Sequence, residues 1–183
     1  HVVDTAGTTN EKGEVVEPGS YDPLDDVKFL EVELNLWYAG ILKKGWEKFA
    51  RTVVQEKQEI YLALAKQLSG LQVTASLVEE AIDLLKLNKE KPIQWTEEEL
   101  YQLATLLRQR TKPMIIACNK MDISIASKNL DRLRAAYPLY PFIPCSAESE
   151  LALKEAARHG LIDYVPGDDN FSFVQADKLS ERQ

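Results

Sequence analysis

The residues with the clearest chemical use are Asn119, Lys120 and Asp122, in the run Asn119-Lys120-Met121-Asp122. An apolar run, Pro113-Met114-Ile115-Ile116-Ala117-Cys118, precedes them. A second apolar run, Phe142-Ile143-Pro144-Cys145, leads into Ser146-Ala147-Glu148. An amide, a lysine and a carboxylate at these intervals suit the reading of one purine. Guanine presents two N–H donors on one edge, N1 and the exocyclic N2, and a carbonyl at O6. A carboxylate at Asp122 accepts from both donors at once. Adenine has no such pair, and the unpaired carboxylate it would leave is costly, so the wrong base is rejected as the right one is held. Asn119 would tie the loop together and reach the base through its amide, which both donates and accepts. The stem of Lys120 would lie across the base face with its ammonium in water. Ser146 and Ala147 would bring backbone N–H groups to O6, and the small side chain permits that approach. The simpler alternative is a polar turn closing a strand, which Asn and Asp favour on their own. Ser146-Ala147-Glu148, at the end of the next apolar run and in the right order, favours the base site.

Such residues need a sheet to hold them. The pattern strand, N-K-x-D, helix, strand, S-A-x belongs to an open α/β sheet, where ligands sit at the carboxyl ends of the strands. His1-Val2-Val3-Asp4 reads as the end of another buried strand; it carries no initiating methionine, so the chain is expected to start within a longer protein. Asp4-Thr5-Ala6-Gly7 fits the D-x-x-G pattern that meets a γ-phosphate and Mg²⁺. Two features argue against that role: the turn-rich loop Thr8 to Glu14 that follows, and the lack of any G-x-x-x-x-G-K-[ST] run in the sequence. Gly13 to Gly19 is expected to form an ordered loop or short hairpin.

Asp22-Pro23 starts a helix, with Asp as N-cap, Pro at the first position and Asp25 and Asp26 in the first turn. Apolar residues recur at Val27, Leu30, Leu34, Trp37/Tyr38 and Ile41. A second long helix is expected from about Trp46 to Leu68 after a break at Gly45, with Gly70 as its C′ residue. Ser76-Leu77-Val78-Glu79 and Thr96-Glu97-Glu98-Glu99 read as capping boxes opening two shorter helices. Trp37, Tyr38 and Trp46 are expected in the core, an exposed patch being the alternative. A doubly wound sheet needs one crossover helix between strands, and here there are about four. The expected fold is therefore α/β: a mostly parallel sheet with a helical hairpin or bundle inserted in one crossover. The expected organisation is a strand end and loop at residues 1–23, the helical insertion at 24–110, the sheet with both motifs at 111–168, and a polar tail at 169–183.

Composition narrows the class. The chain has 183 residues, 45% of them hydrophobic, with 29 acidic against 22 basic residues and a net charge of −7. That balance argues against a general nucleic-acid-coating role, and no DNA partner is expected. No apolar run is long enough to span a membrane, no secretory leader is expected, and the expected location is the cytoplasm. Cys118 and Cys145 are expected as buried free thiols, and two Cys with two His offer no metal-ligand spacing.

A family resemblance is carried by H-V-V-D (1–4), G-E-V-V-E-P-G-S-Y-D-P (13–23), D-V-K-F-L-E-x-E-L (26–34), N-K-M-D, S-A-E-x-E-L-A-L (146–153) and G-L-I-D-Y-V-P-G-D (160–168). Together these runs resemble the YchF/Obg-like GTPases, in particular the archaeal-type branch. The resemblance implies a partial P-loop-type G domain. It puts Asn119, Lys120 and Asp122 in the base-specificity motif and Ser146-Ala147 in the loop behind it, with Asp4 outside the Mg²⁺ site. It implies GTP or GDP as ligand, Mg²⁺ held by parts of the parent protein outside this sequence, and a ribosome or translation factor as partner of the helical arm. The phosphate loop, the switches and a C-terminal TGS domain of that family have no counterpart here. The fragment alone is therefore expected to bind nucleotide weakly and to hydrolyse nothing.

Overall fold

The computed structural model describes residues 1–174, and the expected polar tail from Ala176 to Gln183 lies outside them. The chain divides into two units, residues 1–26 with 114–174, and residues 27–113.

The first unit is built on three parallel strands, β1 (Val2–Asp4), β2 (Ile116–Asn119) and β3 (Phe142–Pro144), in the order β1-β2-β3. Val3 pairs with Cys118 and Cys118 with Pro144, while Val2 pairs with Ala117 and Ala117 with Ile143. Side chains alternate across a strand. One face therefore carries Val3, Ile116, Cys118 and Phe142, all buried. Helix α6 (Ser124–Ala136) adds Ala126, Asn129, Leu130 and Leu133 to the same core. The opposite face carries Val2, Ile115 and Ile143, which are 69%, 59% and 51% exposed. This alternation corrects the expectation for the cysteines. Cys118 is buried, and burial pushes its thiol pKa up. Cys145 lies one residue beyond the Cys118–Pro144 register and is exposed.

Helix α7 (Ala147–Arg158) follows β3. None of its residues is buried, because its main neighbour is only the short ribbon of β4 (Ile162–Asp163) and β5 (Ser172–Phe173). Strand β5 falls where the sequence reads as the beginning of a polar tail; Ile162 pairs with Phe173, so the chain continues in structure to Val174.

After β1 the N-terminal loop is ordered by contacts within itself. Thr9 and Val15 form an antiparallel bridge, and Asn10 closes the turn by accepting from the N–H groups of Lys12 and Glu14. Gly7 has φ of 60°, and a Cβ there would lie 2.0 Å from the Tyr21 carbonyl oxygen, so only glycine fits.

The second unit is helical. Helix α1 (Pro23–Lys43) starts at the expected place, with Asp22 accepting from the Leu24 N–H. Gly45, at φ 74°, breaks the chain before α2 (Trp46–Gln55). The expected helix from Trp46 to Leu68 is two helices. Lys57 takes a left-handed φ of 52° and α3 begins at Ile60 (Ile60–Gln67). Gly70 is inside a 3-10 turn, and the left-handed residue is Gln72. The cap of α4 (Ala75–Leu84) is Thr74, whose hydroxyl accepts from Leu77 N–H, and not Ser76. The box at Thr96 and Glu99 forms as expected and opens α5 (Glu97–Thr111). Tyr38, Leu42, Leu64, Ile82, Leu103 and Leu107 fill one continuous core, with Trp46 stacked on Trp95 at 5.4 Å between ring centroids. Trp37 is half-exposed, whereas Tyr38 and Trp46 belong to the core. Arg108 is buried as well. It donates from Nε to Asn35 Oδ1 at 2.9 Å and lies 3.5 Å from Glu31.

Candidate base-recognition site

The sheet brings the two motifs together at the carboxyl ends of β2 and β3. Asn119 ends β2, and Asp122 sits in the turn before α6. Ser146 is the N-cap of α7 and Ala147 its first residue. Two cross-loop contacts join them: Asn119 Oδ1 accepts from the Ala147 N–H at 2.9 Å, and Ser146 Oγ donates to Asp122 Oδ1 at 2.5 Å. The backbones are tied too, with the Met121 N–H donating to the Cys145 carbonyl at 3.2 Å and the Cys145 N–H to the Cys118 carbonyl at 2.9 Å. Ser146 also caps α7 by accepting from the Ser149 N–H at 3.1 Å.

This geometry divides the work of each group. With Asn119 Oδ1 engaged, the donor half of that amide is the part left for a ligand. Asp122 is exposed, and Ser146 meets one of its two carboxylate oxygens. The Ala147 N–H, expected at O6, is instead hydrogen-bonded to Asn119. The small side chain at Ala147 is exposed, so nothing of its own blocks the approach.

Lys120 departs most from expectation. Its ammonium is not left in water. It donates to Asp4 Oδ2 at 3.1 Å and to Thr8 Oγ at 2.5 Å, and lies 3.4 Å from Thr9 Oγ. Lys120 also adopts a left-handed backbone, φ 66°, which a side chain with a Cβ seldom takes. The reason is Asp4. Its carboxylate is only 14% exposed and also accepts from the N–H groups of Ala6 and Thr8 and from the Thr8 hydroxyl. Burial pushes the Asp4 carboxyl up, but the hydrogen bonds from Thr8, Lys120 and Thr9 and the lysine charge outweigh it and hold Asp4 below its usual range. Sequence reasoning treated Asp4 as a strand end. The signal was its place at the end of a parallel strand next to β2, with Thr8 and Thr9 just beyond.

The residues present do not fit Mg²⁺. Asp4 is occupied by these donors, and no cluster of three acidic, His or Cys groups that could hold a metal occurs among the described residues. No helix among the described residues is long and apolar enough to cross a membrane.

Comparison with known proteins bears on this arrangement. Residues 117–183 match the family model described as Obg-like GTPase YGR210-like, G4 motif-containing domain. The chain is 45% identical over 181 residues to an uncharacterised GTP-binding protein of Methanocaldococcus jannaschii, covering 99% of this chain and 44% of that one. It is 28% identical to an uncharacterised GTP-binding protein of Schizosaccharomyces pombe, covering 92% of this chain and 41% of the relative. A crystal structure of a GTP-binding protein from Pyrococcus horikoshii superposes with a TM-score of 0.77 at 39% identity, over 91% of this chain and 48% of that one. The chain thus spans less than half the length of each of these relatives. Its carboxyl-terminal part is thus similar to an Obg-like G4-motif domain, and most of its length is similar to part of proteins described as GTP-binding.

Proposed function

We propose that this chain is the base-recognising part of a YchF/Obg-like GTPase, selecting guanine nucleotides through Asn119, Lys120, Asp122, Ser146 and Ala147. The observation that carries the reading is the lock between the two loops, Asn119 to Ala147 and Ser146 to Asp122. It leaves an amide donor and an exposed carboxylate together at the end of a parallel sheet, the place and the chemistry that guanine requires. The homologues' description as GTP-binding proteins supports the same ligand.

GTP hydrolysis then belongs to a longer parent, whose phosphate-binding segment would hold Mg²⁺ and provide most of the affinity. The bare sheet face of Val2, Ile115 and Ile143 supports that view, since parallel sheets are normally covered on both faces. The parent works in the cytoplasm, and its helical unit engages a ribosome or translation factor. A stripe on α1 favours a contact of this kind: Phe29, Val32, Leu36 and Trp37 are 68%, 40%, 52% and 51% exposed. The same stripe is what favours the second reading, a helical interaction module without nucleotide activity of its own.

Calorimetric titration with GDP, GTP and ATP in the presence of Mg²⁺ tests the first reading. Weak binding of GDP and GTP with no ATP binding is expected. Equal binding of ATP would overturn the base assignment, and no binding of any nucleotide would favour the second reading.

A further inference from the structure

We infer that Asp4 and Thr8 are positioning residues for base recognition, acting through Lys120. The inference rests on the reading that Asn119 to Asp122 take a guanine base, and it adds residues that lie outside both motifs.

The observations form a relay. Thr8 Oγ donates to Asp4 Oδ2 at 2.8 Å and accepts from Lys120 Nζ at 2.5 Å. Lys120 Nζ also donates to Asp4 Oδ2 at 3.1 Å. One hydroxyl can serve both contacts, since it has one proton to give and lone pairs to receive. Asp4 is itself fixed by its strand. It pairs with Asn119 across β1 and β2, and the Thr5 N–H donates to the Asn119 carbonyl at 3.1 Å. The clamp and the first base-reading residue therefore share one rigid register.

The consequence is physical. A lysine side chain free in solvent samples many rotamers, and ordering it on a ligand carries an entropic cost. Here both ends of the Lys120 side chain are held before any ligand arrives, the backbone at left-handed φ and the ammonium on Asp4 and Thr8. The aliphatic stem between them becomes a preformed surface for the face of a base.

The test uses the full chain and four proteins: wild type, Asp4→Asn, Lys120→Met and the double variant. Asp4→Asn keeps an acceptor for the Ala6 N–H but removes the charge that holds the lysine. Asp4→Asn is expected to weaken GDP binding roughly tenfold, Lys120→Met by a similar factor, and the double variant no more than Lys120→Met alone. A merely structural role for Asp4 would persist without the lysine, so additive losses would overturn the inference, as would an unchanged affinity in Asp4→Asn. Thr8→Val, which keeps shape and removes the hydroxyl, guards against a folding defect, and Thr8→Ser should restore binding.

Lysine acylation followed by peptide mass spectrometry separates the two levels of the argument. Lys120 is expected to be protected in the wild type and to become reactive in Asp4→Asn and Thr8→Val, the other lysines being unchanged. Should the wild type show no guanine-selective binding, the base assignment fails, and the clamp is judged by this labelling alone. Equal Lys120 reactivity in all proteins overturns it.

Discussion

The two units of this chain are held together by different means. The helical unit has a continuous apolar core from Tyr38 through Leu64 to Leu107 and buries Arg108 together with its hydrogen-bond partner Asn35. The sheet unit has a thin core on one side of three short strands and leaves the other side bare. Its carboxyl-end loops are fixed by directional hydrogen bonds, from the Thr8 N–H to Asp4, from the Ala147 N–H to the Asn119 side chain and from the Ser146 hydroxyl to Asp122. Apolar burial is non-directional and gives stability, whereas hydrogen bonds fix angles and distances. Under the proposed function, the unit that must place a carboxylate and an amide against a base uses the directional means. The lesson is that stability and site geometry should respond to different substitutions.

The largest effect expected is in the helical core. Leu64→Ala removes a fully buried side chain and should lower the stability of that unit by about 2–5 kcal/mol, read by urea unfolding. Guanine-nucleotide affinity of the folded protein should not change. A change in affinity would break the division between the units.

Gly7→Ala comes next. The added methyl meets the Tyr21 carbonyl and the residue must keep a positive φ, so roughly 1–3 kcal/mol of strain is expected in the sheet unit. Thermal unfolding should show the loss. The Asp4 clamp starts from the same loop, so Lys120 reactivity should rise with it.

The smallest effect is in pH dependence. Asp4 and Asp22 are both held below their usual range. In each, burial works against ionisation, and it is outweighed by hydrogen bonds, from Thr8 and Lys120 to Asp4 and from Arg132 and the Leu24 N–H to Asp22. A depressed carboxylate stabilises the fold above its unfolded pKa and loses that contribution as pH falls through the folded one. Asp26, raised by burial and by the Asp4 and Asp25 charges, works in the opposite sense. The melting temperature should therefore decline as pH drops below about 4, and Asp4→Asn should flatten the decline. An unchanged profile in that variant would separate Asp4 from the stability of the unit.

The meeting of the two candidate loops was legible in the sequence because the residues of each are local. Asn119 to Asp122 and Ser146 to Ala147 each follow an apolar run, and a parallel sheet places the ends of such runs side by side. The capping box at Thr96 and the start of α1 at Pro23 were legible for the same reason. What escaped was set by contacts distant in sequence or by conformations without a residue signature. The ammonium of Lys120 finds Asp4 across 116 positions. The break between α2 and α3 turns on Lys57 in a left-handed conformation, where no Gly or Pro announces it. Arg108 is buried in an apolar stripe because Asn35 and Glu31 wait on α1. Cys145 is exposed only because the strand register puts it past the covered face.

The most direct test of the central claim is nucleotide selectivity in Asp122→Asn. An amide offers a donor where guanine needs an acceptor and where xanthine presents a carbonyl. Titration of the wild type and the variant with GDP and with xanthosine diphosphate should show the preference move from guanine toward xanthine. Retention of guanine selectivity in the variant would contradict the assignment of Asp122 as the group that reads the base.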